Sequence, residues 1–147
     1  MKRAILSAAI AALGAAVLAS PAFAFDHHFT VLTKLKSIHP AGPSRFVEKE
    51  KLFDPNNHSS KVGRDRYKCH GFVNPLRVKC HGFIRLNGKI GGIGLIRVKG
   101  DAQPGELHVP VIGGTRQFNG VAGKSTKLPT KRRKTRFDAR LHFDLVR

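Results

Sequence analysis

Two short segments of the chain combine cysteine with histidine, and both residue types bind zinc. The segment Lys68-Cys69-His70-Gly71-Phe72 is repeated eleven residues later as Lys79-Cys80-His81-Gly82-Phe83. In a structural zinc site, four thiolate or imidazole groups surround one ion as a tetrahedron. One interpretation of the repeat is therefore a zinc site built from two cysteines and two histidines.

The geometry of a β-hairpin favours a disulfide over this zinc site. A hairpin folded at Asn74-Pro75 puts Cys69 directly opposite Cys80. Because adjacent strand residues point to opposite faces, the histidines would lie on the face away from the cysteines, and the four groups could not surround one ion. Directly opposed Cβ atoms lie near the separation that a disulfide needs, and closing a loop of about 12 residues contributes about 3 kcal/mol. The sequence therefore predicts a Cys69–Cys80 disulfide.

The same alternation assigns two ionisable residues to the apolar side of the first cysteine strand. Counting back by twos from Cys69 gives Tyr67 and then Asp65. A carboxyl group and a phenol buried together could act as acid and base, or could orient a polar ligand. The alternative is that Asp65 lies at a strand end, in solvent or paired with a neighbouring arginine. Asp65 and Tyr67 are thus the candidate catalytic residues. No Ser-His-Asp or Cys-His set is evident, and the sequence indicates no cofactor.

The elements that would position these residues are all strands. Alternation in the last strand is the clearest, with one apolar face made of Phe137, Ala139, Leu141, Phe143 and Leu145. The predicted strands are 29–38, 45–53, 61–73, 77–86, 89–98, 107–112, 118–128 and 135–146. Gly113-Gly114-Thr115 is predicted to be a turn with a close backbone approach and not a phosphate loop, because a strand follows it. The fold class is therefore all-β, an antiparallel up-and-down arrangement that closes into a barrel or packs as a sandwich.

The first 24 residues have the three parts of a secretory signal. Lys2 and Arg3 are followed by an uncharged apolar stretch of about 15 residues, which is short of the roughly 20 that span a bilayer. Ser20-Pro21-Ala22-Phe23-Ala24 then supplies a small-x-small cleavage pattern. The sequence predicts cleavage after Ala24, a single domain over residues 25–147, and a secreted or periplasmic location.

Charge suggests anionic partners for the exported domain. The chain carries a net charge of +18, which falls to +16 when the predicted signal is removed. Lys131-Arg132-Arg133-Lys134, flanked by Lys127 and Arg136, is a candidate anion-binding hairpin loop, with an ordinary solvated turn as the alternative. Envelope polymers and lipid headgroups are the candidate anions. Nucleic acid is disfavoured because the chain has no tryptophan and one tyrosine for base stacking.

Cleavage after Ala24 would also create a metal-binding terminus. Phe25-Asp26-His27 would then offer a free amine, two amide nitrogens and an imidazole, which together form a square-planar nitrogen set suited to Cu(II) or Ni(II). The alternative is that this arrangement is adventitious.

Several motifs in succession resemble the allene oxide cyclase-like barrel proteins, relatives of the dirigent proteins, and in particular their small secreted bacterial members. The motifs are Val62-Gly63-x-Asp65-x-x-x-Cys69 with its second cysteine, Leu86-Asn87-Gly88-Lys89-Ile90, Val111-Ile112-Gly113-Gly114-Thr115, and Phe118-Asn119-Gly120-Val121-Ala122-Gly123. The resemblance covers roughly residues 29–147 and implies an eight-stranded antiparallel barrel. The sequence departs from the usual pattern at Arg116, where glycine is common, and at Phe118, where tyrosine is frequent.

The resemblance implies a cavity for a greasy substrate, since plant cyclases of this fold close a fatty-acid epoxide and dirigent proteins steer radical coupling. It places no cyclase carboxylate or asparagine on a particular residue here. Three functions follow as expectations: binding of a small apolar ligand in the barrel, a cyclase or isomerase using that cavity, or a cationic protein that binds envelope polyanions. Family members often assemble, so a homo-oligomer is also expected.

Overall fold

Eight antiparallel strands form a closed barrel in the computed structural model, which describes residues 26–72, 77–102, 107–130 and 137–147. Each strand pairs with the next along the chain, and the first pairs with the last. The strands are β1 (Asp26–Pro40), β2 (Arg45–Phe53), β3 (Lys61–Phe72), β4 (Arg77–Asn87), β5 (Ile93–Ala102), β6 (Leu107–Arg116), β7 (Ala122–Pro129) and β8 (Ala139–Val146). Within those ranges, no helix is long and apolar enough to cross a membrane. The all-β prediction is confirmed, and closure decides for the barrel over the sandwich.

β1 is the longest strand because it closes the barrel. Its first part, from Asp26 to Thr33, pairs with β8, and its later part, from Leu32 to Pro40, pairs with β2. The register with β2 shifts between Leu35 and Ser37. Such a bulge bends a strand and increases its twist, which lets one strand serve two neighbours around a closed sheet.

The two-residue alternation of the sequence fixes which side chains face the interior. In β8 the inward residues Ala139, Leu141, Phe143 and Leu145 are buried, as predicted, while alternate residues contact solvent. The same inward faces of the other strands supply most of one continuous apolar core. The barrel interior, or lumen, is therefore filled mainly by side chains, as expected for a barrel of eight strands.

Glycine-rich segments account for the differences between predicted and observed strand ends. β5 begins at Ile93, later than predicted, because Gly88, Gly91 and Gly92 take positive φ values that bend the chain. The prediction of a turn at Gly113-Gly114-Thr115 is wrong, since these residues continue β6 and the turn follows at 117–120.

The predicted close approach at this motif is correct. A Cβ on Gly114 would collide with the Leu95 carbonyl oxygen and would lie 2.6 Å from the Phe118 Cβ. Gly114 therefore lets the Phe118 side chain fold back against β6.

Aromatic residues fill one end of the barrel. This closed end carries the β2–β3, β4–β5 and β6–β7 turns, and there Phe29 stacks on Phe143 with ring centroids 4.6 Å apart and contacts Phe118 at 6.5 Å. The opposite end, called the mouth below, carries the β1–β2 turn and the connections between β3 and β4, β5 and β6, and β7 and β8. The two ends differ in the residues that line them, and the polar side chains of the lumen lie towards the mouth.

Candidate functional site

The cysteine pair lies near the mouth and forms the predicted disulfide. Cys69 on β3 is directly opposite Cys80 on β4, with Cα atoms 4.2 Å apart, and both side chains are buried. His70 pairs with Lys79 and therefore faces outward, away from the cysteines. The zinc interpretation fails because both thiols are consumed in the disulfide.

Asp65 and Tyr67 both point into the lumen, where each is almost fully buried. Asp65 lies within β3, opposite Glu50 on β2 and Ile84 on β4. The alternative that placed Asp65 at an exposed strand end beside an arginine is therefore wrong. The structure brings the two candidate residues together, and their catalytic role stays a prediction.

A lysine from the far side of the barrel completes the group. Lys127 on β7 places its Nζ 2.7 Å from Glu48 Oε1 and 2.8 Å from Glu50 Oε1. The same ammonium lies 5.9 Å from the centre of the Tyr67 ring, within range of a cation–π contact. From its position in the sequence, Lys127 was expected to flank the basic hairpin loop at the surface. That expectation is wrong, because strand alternation turns this side chain inward. These five residues, Glu48, Glu50, Asp65, Tyr67 and Lys127, are called the lumen cluster below.

Burial and crowding of like charges set the protonation of the acids. Burial, reinforced by the Glu50 charge, raises the pKa of Asp65 well above its usual range. Burial also raises the pKa of Glu50, against the opposing effect of the Lys127 ammonium. The Glu50 backbone N–H donates to Asp65 Oδ1 at 3.1 Å. Since Lys127 ion-pairs with Glu50, Asp65 is the acid of this pair that retains its proton.

The pKa values of Tyr67 and Lys127 are both raised, which leaves Tyr67 neutral and Lys127 charged. Burial, with smaller effects of the nearby Asp65 and Glu50 carboxyl groups, raises the pKa of Tyr67 well above its usual range. Tyr67 is therefore a neutral phenol and a hydrogen-bond donor, and it is not a base. Burial alone would lower the pKa of Lys127, but Glu50 and Glu48 outweigh it and raise that pKa. Lys127 is accordingly a fixed cation.

Three buried oxygen atoms of the lumen have no hydrogen-bond partner among the described residues. They are Thr33 Oγ1, Glu50 Oε2 and Asp65 Oδ2, which stand on the consecutive strands β1, β2 and β3. By contrast, the buried hydroxyl of Ser125 donates to the Val109 carbonyl at 3.0 Å. These three atoms are called the oxygen row below. Leaving a buried polar group unpaired costs about 1–3 kcal/mol, so each of them would gain from a hydrogen bond to a bound molecule.

The lumen cluster is reached from the mouth. The side chains of Glu48 and Lys127 are 20% and 15% exposed, whereas that of Glu50 is 1% exposed. Glu48 and Lys127 are thus the more exposed of these three side chains, and Glu50 lies deeper in the lumen. The lumen cluster thus sets a protonated Asp65 beside a Glu50 that keeps its negative charge.

The remaining predicted site residues are not part of this group. Lys131, Arg132, Arg133 and Lys134, as well as Phe25, lie outside the described residues. Asp26 begins β1, and the His27 ring places Nε2 2.6 Å from the Gly91 carbonyl oxygen at the closed end. The anion-binding loop and the terminal copper or nickel site stay predictions.

Glu48, Glu50 and Lys127 were not predicted to face the lumen, although each is a charged residue at an inward position of its strand. Glu48 and Glu50 share a two-residue period with Leu52, which is buried. Lys127 shares the same period with Ser125 on β7. Two acids on the inward face of one strand and one lysine on the inward face of another could have predicted a buried ion pair.

Comparisons with known proteins agree on the architecture. No family model matches the chain, and no curated protein matches its sequence. A solved structure described as pyocyanin demethylase has 16% identity and a TM-score of 0.62, over 80% of this chain and 98% of that one. A pterocarpan synthase dirigent protein has 13% identity and a TM-score of 0.58, over 84% of each chain.

A nonspecific heme-binding cyclase that catalyses a [4 + 2] cycloaddition has 12% identity and a TM-score of 0.57, over 84% of this chain and 65% of that one. All three have the allene oxide cyclase-like barrel fold. The resemblance seen in the sequence motifs is therefore confirmed at the level of the fold.

Proposed function

We propose that this protein binds one small, largely apolar ligand in the mouth half of the barrel. The observation that carries the proposal is the oxygen row of Thr33, Glu50 and Asp65, which is buried, unpaired and next to apolar walls. Those walls would cover the apolar body of the ligand, and the oxygen row would bind its polar group. The usual small-molecule site has this composition, with many apolar contacts and a few placed polar ones.

The protonation of the lumen cluster sets the chemistry of the ligand. Asp65 retains its proton and shares it with the Glu50 carboxylate, which Lys127 holds, so a ligand would compete with Glu50 for the Asp65 O–H. A carbonyl or ether oxygen on the ligand would accept from Asp65, and a hydroxyl would satisfy both acids. A carboxylate ligand is disfavoured, because it would meet Glu48 and Glu50 at the mouth.

The solved structures of the same fold support a small-molecule function. Their descriptions name a demethylase, a pterocarpan synthase and a cycloaddition cyclase, each acting on small organic molecules. From these proteins we carry over to this chain only the binding of a small molecule in the barrel. The proposed location is secreted or periplasmic, which the disulfide supports because such bonds persist in oxidising compartments.

The chain contains a single tyrosine and no tryptophan, so its intrinsic fluorescence reports on the lumen alone. We would titrate the protein with flavone, a neutral aromatic ketone, and follow Tyr67 emission. Saturable quenching at one equivalent is expected. Asp65→Leu should weaken flavone binding about tenfold, the equivalent of one lost hydrogen bond. Asp144→Leu, which changes an outer aspartate, should leave binding unchanged.

Two results would count against the proposal. One is quenching that never saturates, and the other is an equal flavone affinity for the Asp65→Leu and Asp144→Leu proteins. If flavone binds as expected, mass spectrometry of small molecules that purify with the native protein would identify the natural ligand class.

A second candidate function is a cyclase or isomerase that uses the same cavity. The unequal pKa values of Asp65 and Glu50 favour it, because paired carboxyl groups with separated pKa values are suited to acid and base roles. Asp65 would donate a proton, Glu50 would accept one, and Tyr67 would hydrogen-bond the substrate. Any turnover of a co-purified molecule should be lost in Asp65→Asn, and unchanged turnover in that variant would remove the assignment.

A further inference from the structure

The outer wall formed by β2, β3, β4 and β5 is densely cationic. Of the sixteen outward positions named next, ten are lysine or arginine and one is acidic. In strand order these positions are Arg45, Val47, Lys49, Lys51; Arg64, Arg66, Lys68, His70; Lys79, His81, Phe83, Arg85; and Leu95, Arg97, Lys99, Asp101. This set is called the basic wall below.

Like charges stand directly opposite one another on the basic wall. Lys51 is paired with Arg64, which in turn is paired with Arg85, and Lys49 is paired with Arg66. Opposed like charges destabilise a sheet. The wall on the other side of the barrel differs, because there Asp144 lies 2.8 Å from His28 and 3.9 Å from Lys124. The basic wall therefore carries repulsion that a bound polyanion would relieve.

The basic wall is grooved. Two adjoining grooves, of about 900 Å³ and 580 Å³, share Arg66, Lys68, His81 and Lys99 in their linings. Together they form one trough across β3, β4 and β5, with the half-buried Phe83 ring and the exposed Ile112 side chain at one side. Cations spaced about 5 Å apart across strands and about 7 Å along them line this trough.

We propose that the basic wall binds an acidic polysaccharide. A sulfated or uronic chain is narrow enough to lie in the trough, and its anionic groups would meet the lysine and arginine side chains that line it. A flat bilayer fits less well, because the barrel wall is curved and its charge lies in a groove. Single-stranded nucleic acid needs aromatic platforms, and among the sixteen positions of the basic wall Phe83 is the one aromatic ring besides the two histidines.

Two triple variants with identical charge changes test this surface. The wall variant carries Arg66→Gln, Lys68→Gln and Lys99→Gln. The control variant carries Lys34→Gln, Lys124→Gln and Arg140→Gln, all exposed residues outside the basic wall. Each variant removes one arginine and two lysines, so any effect of net charge alone on binding should be equal in the two variants. Circular dichroism would confirm that both remain folded.

Binding of dextran sulfate would be measured by calorimetry over a range of salt concentrations. The wall variant should bind about tenfold more weakly and lose about two units from the slope of log K against log salt. The control variant should stay within about twofold of the native protein. Equal losses in the two variants would overturn the proposal, since they would show a response to net charge alone.

Two further probes distinguish the polysaccharide from other polyanions. A thymidine oligonucleotide and vesicles containing phosphatidylglycerol would be compared with dextran sulfate at equal anion concentration. Tighter binding of either one than of dextran sulfate would overturn the polysaccharide assignment. Flavone titration of Tyr67 in the wall variant should be unchanged, so failure at the basic wall is distinguishable from failure of the lumen proposal.

Discussion

The carboxyl groups of Glu50 and Asp65 face each other across β2 and β3 inside the barrel, and the Glu50 backbone N–H donates to Asp65 Oδ1 at 3.1 Å. Lys127 is the cation that ion-pairs with Glu48 and Glu50 from across the lumen. One ammonium thus balances two carboxylates beside a third acid. The proton retained by Asp65 prevents a further excess of buried negative charge.

Asp65→Asn should therefore make the protein more stable at neutral pH. Burial raises the pKa of Asp65 in the folded state, so between the unfolded pKa near 3.9 and the folded value the unfolded chain releases a proton that the folded protein keeps. Over that window the stability of the native protein falls as pH rises. Asparagine does not titrate, and the variant should gain about 1–2 kcal/mol at pH 7.

Urea unfolding at pH 7 and at pH 4 would measure this effect. The gain should shrink towards pH 4, where about half of the unfolded chains also carry a protonated Asp65. Asp144→Asn is the matched surface control and should change stability by about 0.5 kcal/mol or less. A loss of stability in Asp65→Asn at pH 7, or a gain that does not vary with pH, would contradict the assigned protonation.

Lys127→Met should destabilise the protein by about 3–5 kcal/mol, because it leaves Glu48 and Glu50 charged and unpaired inside the barrel. The loss should be smaller at pH 4. Without the ammonium the folded pKa of Glu50 rises further, so stability declines as pH increases above the unfolded pKa of that glutamate. Lys124→Met, on the same strand with its side chain 66% exposed, should stay within about 0.5 kcal/mol. Similar losses in both variants would show that Lys127 is not a lumen cation.

The alternation of the sequence was sufficient to predict most strands and the disulfide. β2 has the predicted bounds, and the inward face of β8 has the predicted residues. Alternation works there because one face is apolar and the other is polar. The register of Cys69 with Cys80 followed from counting residues along one hairpin.

The lumen cluster could not be assembled in the same way. Its acids lie on inward faces where alternation predicts apolar residues, and its cation comes from a strand 79 residues away from Glu48. Such a pairing depends on barrel closure, which sets β7 across the lumen from β2 and β3. Alternation within one strand therefore predicted that Asp65 and Tyr67 face the lumen, but it could not predict their proximity to Lys127.

The disulfide should contribute about 3 kcal/mol, since it closes a loop of about 12 residues near the mouth. The Cys69→Ser/Cys80→Ser protein should unfold at a correspondingly lower urea concentration. Native protein treated with a reducing agent should match the double variant. If reduction leaves the urea midpoint unchanged, the bond contributes nothing to stability.

Two adjacent glycines of β6 should respond to alanine for different reasons. Gly114 lacks a positive φ, but an added Cβ would collide with the Leu95 carbonyl oxygen and crowd the Phe118 Cβ. Gly113 has open space around it but a φ of +131°. Gly114→Ala should cost about 2–3 kcal/mol through overpacking, and Gly113→Ala about 1–2 kcal/mol through backbone strain.

Urea unfolding of both variants, with hydrogen exchange of the Phe118 amide, would separate the two causes. The Phe118 N–H donates to the Thr115 carbonyl oxygen at 3.1 Å, so displacement of Phe118 from β6 should expose that amide to exchange. Faster exchange is expected in Gly114→Ala and not in Gly113→Ala. A Gly114→Ala protein with native stability and native exchange would mean that Phe118 does not fold back against β6, and that the closed end of the barrel is packed differently.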